Sequence, residues 1–106
     1  MQNLTKAVLT VLACTLVFST WSLADSDADT FKAKCAVCHG ADGKGETTMG
    51  KTLKARDLGS ADVQSQSDAD LAGIITNGKG QMPSFDGKLT PDQVKDVVKY
   101  IRTLKR

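Results

Sequence analysis

Three side chains stand at a spacing that can do chemistry: Cys35-Ala36-Val37-Cys38-His39. On a helix, positions i and i+3 face the same side and i+4 lies beside them. Two thiols on one face can form two bonds to the rim of one flat ring system. The imidazole that follows can then reach a metal at the ring's centre.

C-x-x-C-H is the attachment signature of a c-type haem, with the thiols adding across the two vinyl groups and the histidine binding iron from the proximal side. A covalent link cannot be lost by dissociation, which suits an open compartment outside the cytoplasm. Two other chemistries use paired cysteines. A thioredoxin-like dithiol wants the pair near a βαβ pattern, and this sequence has no strand pattern. Structural zinc wants four ligands, but His39 is the only histidine and no further cysteine beyond Cys14 exists to complete the set.

Iron that exchanges electrons wants a sixth ligand, and Met49 and Met82 are the choices. Met82 sits in Gly80-Gln81-Met82-Pro83-Ser84-Phe85. Glycine before it permits close backbone approach, and Pro83 biases Met82 towards an extended conformation. Met49 follows His39 too closely to cross the ring edge easily and reads as a core or surface residue. Met82 is therefore the expected distal ligand. A His39/Met82 pair raises the reduction potential, because a neutral thioether favours ferrous iron. It also fills the position that oxygen binding or peroxide turnover would need. Electron transfer is thus favoured over haem catalysis, a peroxidase being the alternative.

The chain has 106 residues, enough for one small domain. Its start reads as a secretory signal: Lys6, an apolar run from Ala7 to Phe18, then Ser22-Leu23-Ala24 with small residues where a signal peptidase reads. Cleavage after Ala24 assigns residues 1–24 to the signal and 25–106 to the domain. It also removes Cys14, leaving Cys35 and Cys38 as the only cysteines. A retained anchor is less favoured, since the run is short against the ~20 residues of a span and is broken by Thr10, Cys14 and Thr15. A lipid anchor on Cys14 is disfavoured by the apolar residues that continue through Leu16, Val17 and Phe18. The 14 basic and 12 acidic residues give a net charge of +2, which is no argument for nucleic acid. Aromatic residues beyond the signal are only Phe31, Phe85 and Tyr100. A domain of this size has a marginal core, and a large buried cofactor would complete it.

The elements that position these groups are helices. Ser26 and Asp29 form a capping box for a first helix that carries Ala28, Phe31, Cys35 and Cys38 on one face and ends near His39-Gly40. Gly40 to Gly59 reads as an irregular, glycine-rich loop, with a short helix at Ser60 to Gln64. Ser67 and Asp70 cap a helix with Leu71, Ile74 and Ile75, which Gly78 ends. Thr90-Pro91-Asp92-Gln93 opens a final helix whose Val94, Val97, Val98, Ile101 and Leu104 repeat at helical spacing.

Cys35 to Gly45 (CAVCHGADGKG), followed by Gly80 to Phe85 (GQMPSF) and a terminal helix, resembles the class I c-type cytochromes. It is most similar to the short mono-haem kind of bacteria and photosynthetic organisms. The resemblance implies an all-α fold of three to five helices around one covalent haem c, with one haem edge exposed. It implies Phe31 packed on Tyr100, and Arg56 as a hydrogen-bond donor to a haem propionate. Partners would be transient redox proteins, such as membrane oxidoreductase complexes, oxidases, reaction centres or dehydrogenases. The protein would be a monomer in the periplasm or another extracytoplasmic space, the lumen in a photosynthetic cell. Lys34, Lys51, Lys79 and Lys88 are candidates to border the haem edge, although the near-neutral charge balance favours reading them as ordinary solvated lysines. Many relatives orient the proximal histidine with the carbonyl of a nearby proline. No proline lies between His39 and Pro83 here, so another carbonyl must accept the imidazole N–H.

Overall fold

The longest helix is built as its sequence demands. In α6 (Pro91–Thr103), the Thr90 hydroxyl accepts from the Gln93 N–H at 3.2 Å, and the Gln93 side chain accepts from the Thr90 N–H at 2.9 Å. Two otherwise orphaned donors are satisfied reciprocally, and Pro91 occupies a first-turn position that needs no N–H. Val94, Val97, Val98 and Ile101 form its buried stripe.

The computed structural model describes residues 23–106, so the proposed signal lies outside them except for Leu23 and Ala24. The helix α1 (Leu23–Lys34) packs against α6. Phe31 is fully buried there, with its ring centroid 4.6 Å from that of Tyr100 and the rings tilted by 40°. That is the expected aromatic pair, at a spacing that adds about 0.5–1.5 kcal/mol to simple burial. The Tyr100 hydroxyl donates to the Ala41 carbonyl at 3.1 Å. Ser26 was expected to cap α1 but lies inside it, because Leu23 and Ala24 are good helix formers that extend the helix backwards.

The first helix does not run unbroken to His39. At Cys35 the backbone is stretched (φ −113°) while staying in the right-handed region, and α2 (Ala36–His39) follows as one further turn. The Cys35 N–H still bonds to Phe31 and the His39 N–H to Cys35, so the two pieces form one kinked unit. The glycine-rich segment also holds a helix that periodicity does not reveal, α3 (Thr48–Leu53). Thr47 caps it by accepting from the Gly50 N–H at 2.9 Å. Gly50 is required: a Cβ there would lie 2.1 Å from the Cys38 carbonyl oxygen. The helices α2 and α3 therefore touch backbone to backbone.

The short α4 (Ala61–Gln64) forms where expected. In α5 (Asp68–Asn77), Ser67 accepts from the Asp70 N–H and Leu71 and Ile75 are buried against α6. Arg102 of α6 ties this corner together, donating to Asp68, the Gln64 carbonyl and the Gln66 carbonyl. No strand occurs among the described residues, only an isolated bridge between Lys79 and Met82. Among the described residues the fold is all-α, with six helical segments, or five when the kinked α1–α2 is counted once. Leu58, Val63 and Leu89 complete the core.

Candidate haem site

Cys35 is set by the kink at the end of α1, Cys38 and His39 by α2. Cys35 is buried, Cys38 is half-buried, and both are free thiols. Burial, with Cys38 as a lesser contributor, pushes the Cys35 thiol up to about 11. Burial lowers His39 below the usual histidine value, partly offset by a hydrogen bond to the Arg56 backbone. The histidine is thus held neutral, the form that binds metals.

That hydrogen bond decides the tautomer. His39 Nδ1 lies 3.1 Å from the Arg56 carbonyl oxygen. A carbonyl can only accept, so Nδ1 carries the proton and Nε2 keeps its lone pair. The carbonyl that must replace the missing proline is therefore that of Arg56. Sequence reading singled out Arg56 for its guanidinium; its main chain was invisible to that reasoning. Lys54 turns the chain into this segment with a left-handed backbone (φ 56°).

Cys35, Cys38, His39, Met82 and the exposed Arg56 all line one cavity of about 390 Å³. Its remaining wall is mostly apolar: Phe31, Leu53, Leu58, Leu71, Ile75, Phe85 and others. Met82 arrives from the segment after α5. It exchanges two backbone bonds with Lys79, N–H to carbonyl at 3.0 and 3.1 Å. Gly78 ends α5 with positive φ (77°), and a Cβ there would lie 2.8 Å from the Met82 carbonyl. Met49 is exposed on α3 and does not line the cavity.

Two thiols, a ring nitrogen with a free lone pair and a thioether share an apolar cleft. That donor set and that wall fit an iron porphyrin. Among the described residues no three His, Cys, Asp or Glu side chains gather as a metal cluster, so the zinc reading has no support. Nor is there a sheet to carry a thioredoxin-like pair.

The charged residues lining the cavity are Lys34, Lys54, Arg56 and Lys79, and no carboxylate joins them. Of the four lysines singled out in the sequence, Lys34 and Lys79 reach this rim, whereas Lys51 and Lys88 do not. Lys54 was not anticipated. Among the described residues, no helix is long and apolar enough to cross a membrane.

Comparison with known proteins agrees with this geometry. The family model described as cytochrome c oxidase, cbb3-type, subunit III matches residues 22–101. Cytochrome c6 of Nostoc sp. is 40% identical over 105 residues, covering 95% of this chain and 92% of its own. Cytochrome c6 of Picosynechococcus sp. is 37% identical over 109 residues, with the same coverage. Among solved structures, the KustC0563 c-type cytochrome superposes with a TM-score of 0.70 at 34% identity, covering 76% of this chain and 98% of its own. Matched along nearly all of its length by such relatives, the chain belongs to the small class I c-type cytochromes, carrying one covalently bound haem c and transferring electrons rather than turning over a substrate.

Proposed function

We propose that this protein is a one-electron shuttle in an extracytoplasmic space, delivered there by residues 1–24 as a cleaved signal. Cys35 and Cys38 would hold the haem through thioether bonds, with His39, through Nε2, and Met82 as the residues that would bind its iron. The haem supplies a single-electron change at iron. The observation that carries this reading is the fixed His39 tautomer on one cavity wall together with Met82 lining the same cavity. The apolar wall would limit water at the iron, and the soft Met82 thioether would bias the couple towards the ferrous form. Arg56, which lines the same cavity, would pair with a propionate, a group that a planar guanidinium matches well. In protein purified from the exported fraction, a pyridine haemochrome assay should give one covalent haem per chain. Voltammetry should give a reversible one-electron wave. Absence of covalent haem, or rapid peroxide turnover by the ferric protein, would rule this function out.

The cavity rim suggests the partner's chemistry. Its charged residues are all basic, and exposed Val37 lies among them. An acidic redox protein fits that face, held transiently by an interface below about 1,200 Å². Lys34→Glu with Lys79→Glu should slow oxidation by the trianion ferricyanide at least about tenfold at low salt, within the range electrostatic steering covers. The difference should shrink as added salt shortens the Debye length below about 10 Å. Equal rates at low salt, followed by stopped-flow absorbance, would count against a steering role for the rim.

A further inference from the structure

The segment that orients His39 has no regular structure of its own. Residues 54–59 connect α3 to the cap of α4, and Arg56 lies near their middle. What holds them comes from outside. The Ala55 N–H bonds to the Gly50 carbonyl and the Leu58 N–H to the Gly43 carbonyl, both at 2.8 Å. The third anchor is the turn that follows α6. The Arg106 guanidinium pairs with the Asp57 carboxylate, and the Arg106 N–H donates to the Gly59 carbonyl at 3.1 Å. Asp57 in turn accepts from the Gly59 N–H at 3.0 Å.

The fit there is close. A Cβ on Gly59 would lie 2.3 Å from the Leu104 carbonyl and 2.8 Å from the Arg106 guanidinium. A Cβ on Gly43 would meet the Leu104 side chain at 2.6 Å. Residues 104–106 thus seat directly on the Gly59 end of the segment and on Gly43, which bonds to Leu58. Gln64 adds a bridge by donating to both the Leu58 and Ile101 carbonyls, at 2.7 and 2.9 Å.

We propose that Arg106 is a positioning residue for the proximal ligand: through Asp57 and Gly59 it holds the Arg56 carbonyl against His39 Nδ1. This rests on the reading of His39 as the iron ligand. An accepting carbonyl makes the imidazole more basic, and partners of this kind tune metal affinity by 10–100-fold. A more basic imidazole stabilises ferric iron. Loosening the carbonyl therefore weakens the ferric form and raises the potential. A tenfold loss of ferric preference corresponds to about 59 mV for a one-electron couple.

The pair is itself half-exposed, with 40% and 41% of the two side chains accessible, so it contributes little to global stability. That separates positioning from folding. The test uses haem-loaded, exported protein with Arg106→Ala, Arg106→Lys and Lys105→Ala. Two quantities are read: midpoint potential, and solvent exchange of the His39 Nδ1–H proton by NMR. Arg106→Ala should raise the potential and speed the exchange. Arg106→Lys should restore most of both, and Lys105→Ala should change neither. A haem-loaded Arg106→Ala protein with wild-type potential and wild-type exchange would overturn the positioning role alone. Wild-type protein without covalent haem would overturn this role together with the functional reading beneath it.

Discussion

Replacing both Cys35 and Cys38 by alanine is expected to leave a chain with no cooperative thermal transition. The two thiols line a 390 Å³ cleft whose other walls come from α5, α6 and the segment bearing Met82. Without the covalent group the apolar lining of this open cleft faces water, forfeiting about 25 cal/mol for each Å² left uncovered. A domain of this size has only about 5–15 kcal/mol of stability in total. The remaining core is small, with Phe31 and Val97 the largest fully buried side chains. Each contributes about 1.5–3 kcal/mol by burial, too little to absorb the loss. Circular dichroism against temperature decides the matter. A sigmoidal unfolding curve from the double variant would show that the polypeptide folds without its covalent partner.

Met82→Ala should have the opposite character: the haem stays attached and the fold survives, but the redox behaviour changes. The turn carrying Met82 is fastened through main-chain bonds to Lys79 and through Gly78, none of which needs the side chain. The substitution thus isolates the thioether. With that ligand gone the potential should fall by on the order of 0.1 V, a fraction of the ≈ 0.8 V that axial ligands span. Ferrous protein should then bind carbon monoxide, which the wild type should not. A midpoint potential equal to wild type, with no carbon monoxide difference spectrum, would remove Met82 from the ligand set and reopen the question of Met49. Since Met49 is exposed on α3, it would need a rearranged loop to take part.

The sequence carried those features whose causes are local. The Thr90–Gln93 capping box, the valine stripe of α6 and the Gly78 terminator each depend on residues within a turn or two of one another. Cys35, Cys38 and His39 were legible for the same reason. The helix α3 was not, because its six residues have no apolar stripe and are interrupted by Gly50. Its stability comes from the Thr47 cap and from contact with the Cys38 carbonyl, neither of which periodicity records. The Arg56 carbonyl was hidden more deeply, since any residue type offers the same main-chain acceptor. Which one meets His39 is decided by the left-handed turn at Lys54 and by anchors from Gly43, Gly50 and Arg106.

The packing of α1 on α6 has one more consequence. Phe31 finds its ring partner at the far end of the sequence, and the Tyr100 hydroxyl bonds to a carbonyl 59 residues earlier. Contacts so distant along the chain are made late, after the loop-closure entropy has been met. A polypeptide threaded through a membrane with its amino end leading presents α1 first and α6 last. While α6 is still on the near side, α1 lacks its main packing partner. Under the proposed export by residues 1–24, this order would leave α1 and α6 apart until the whole chain has crossed.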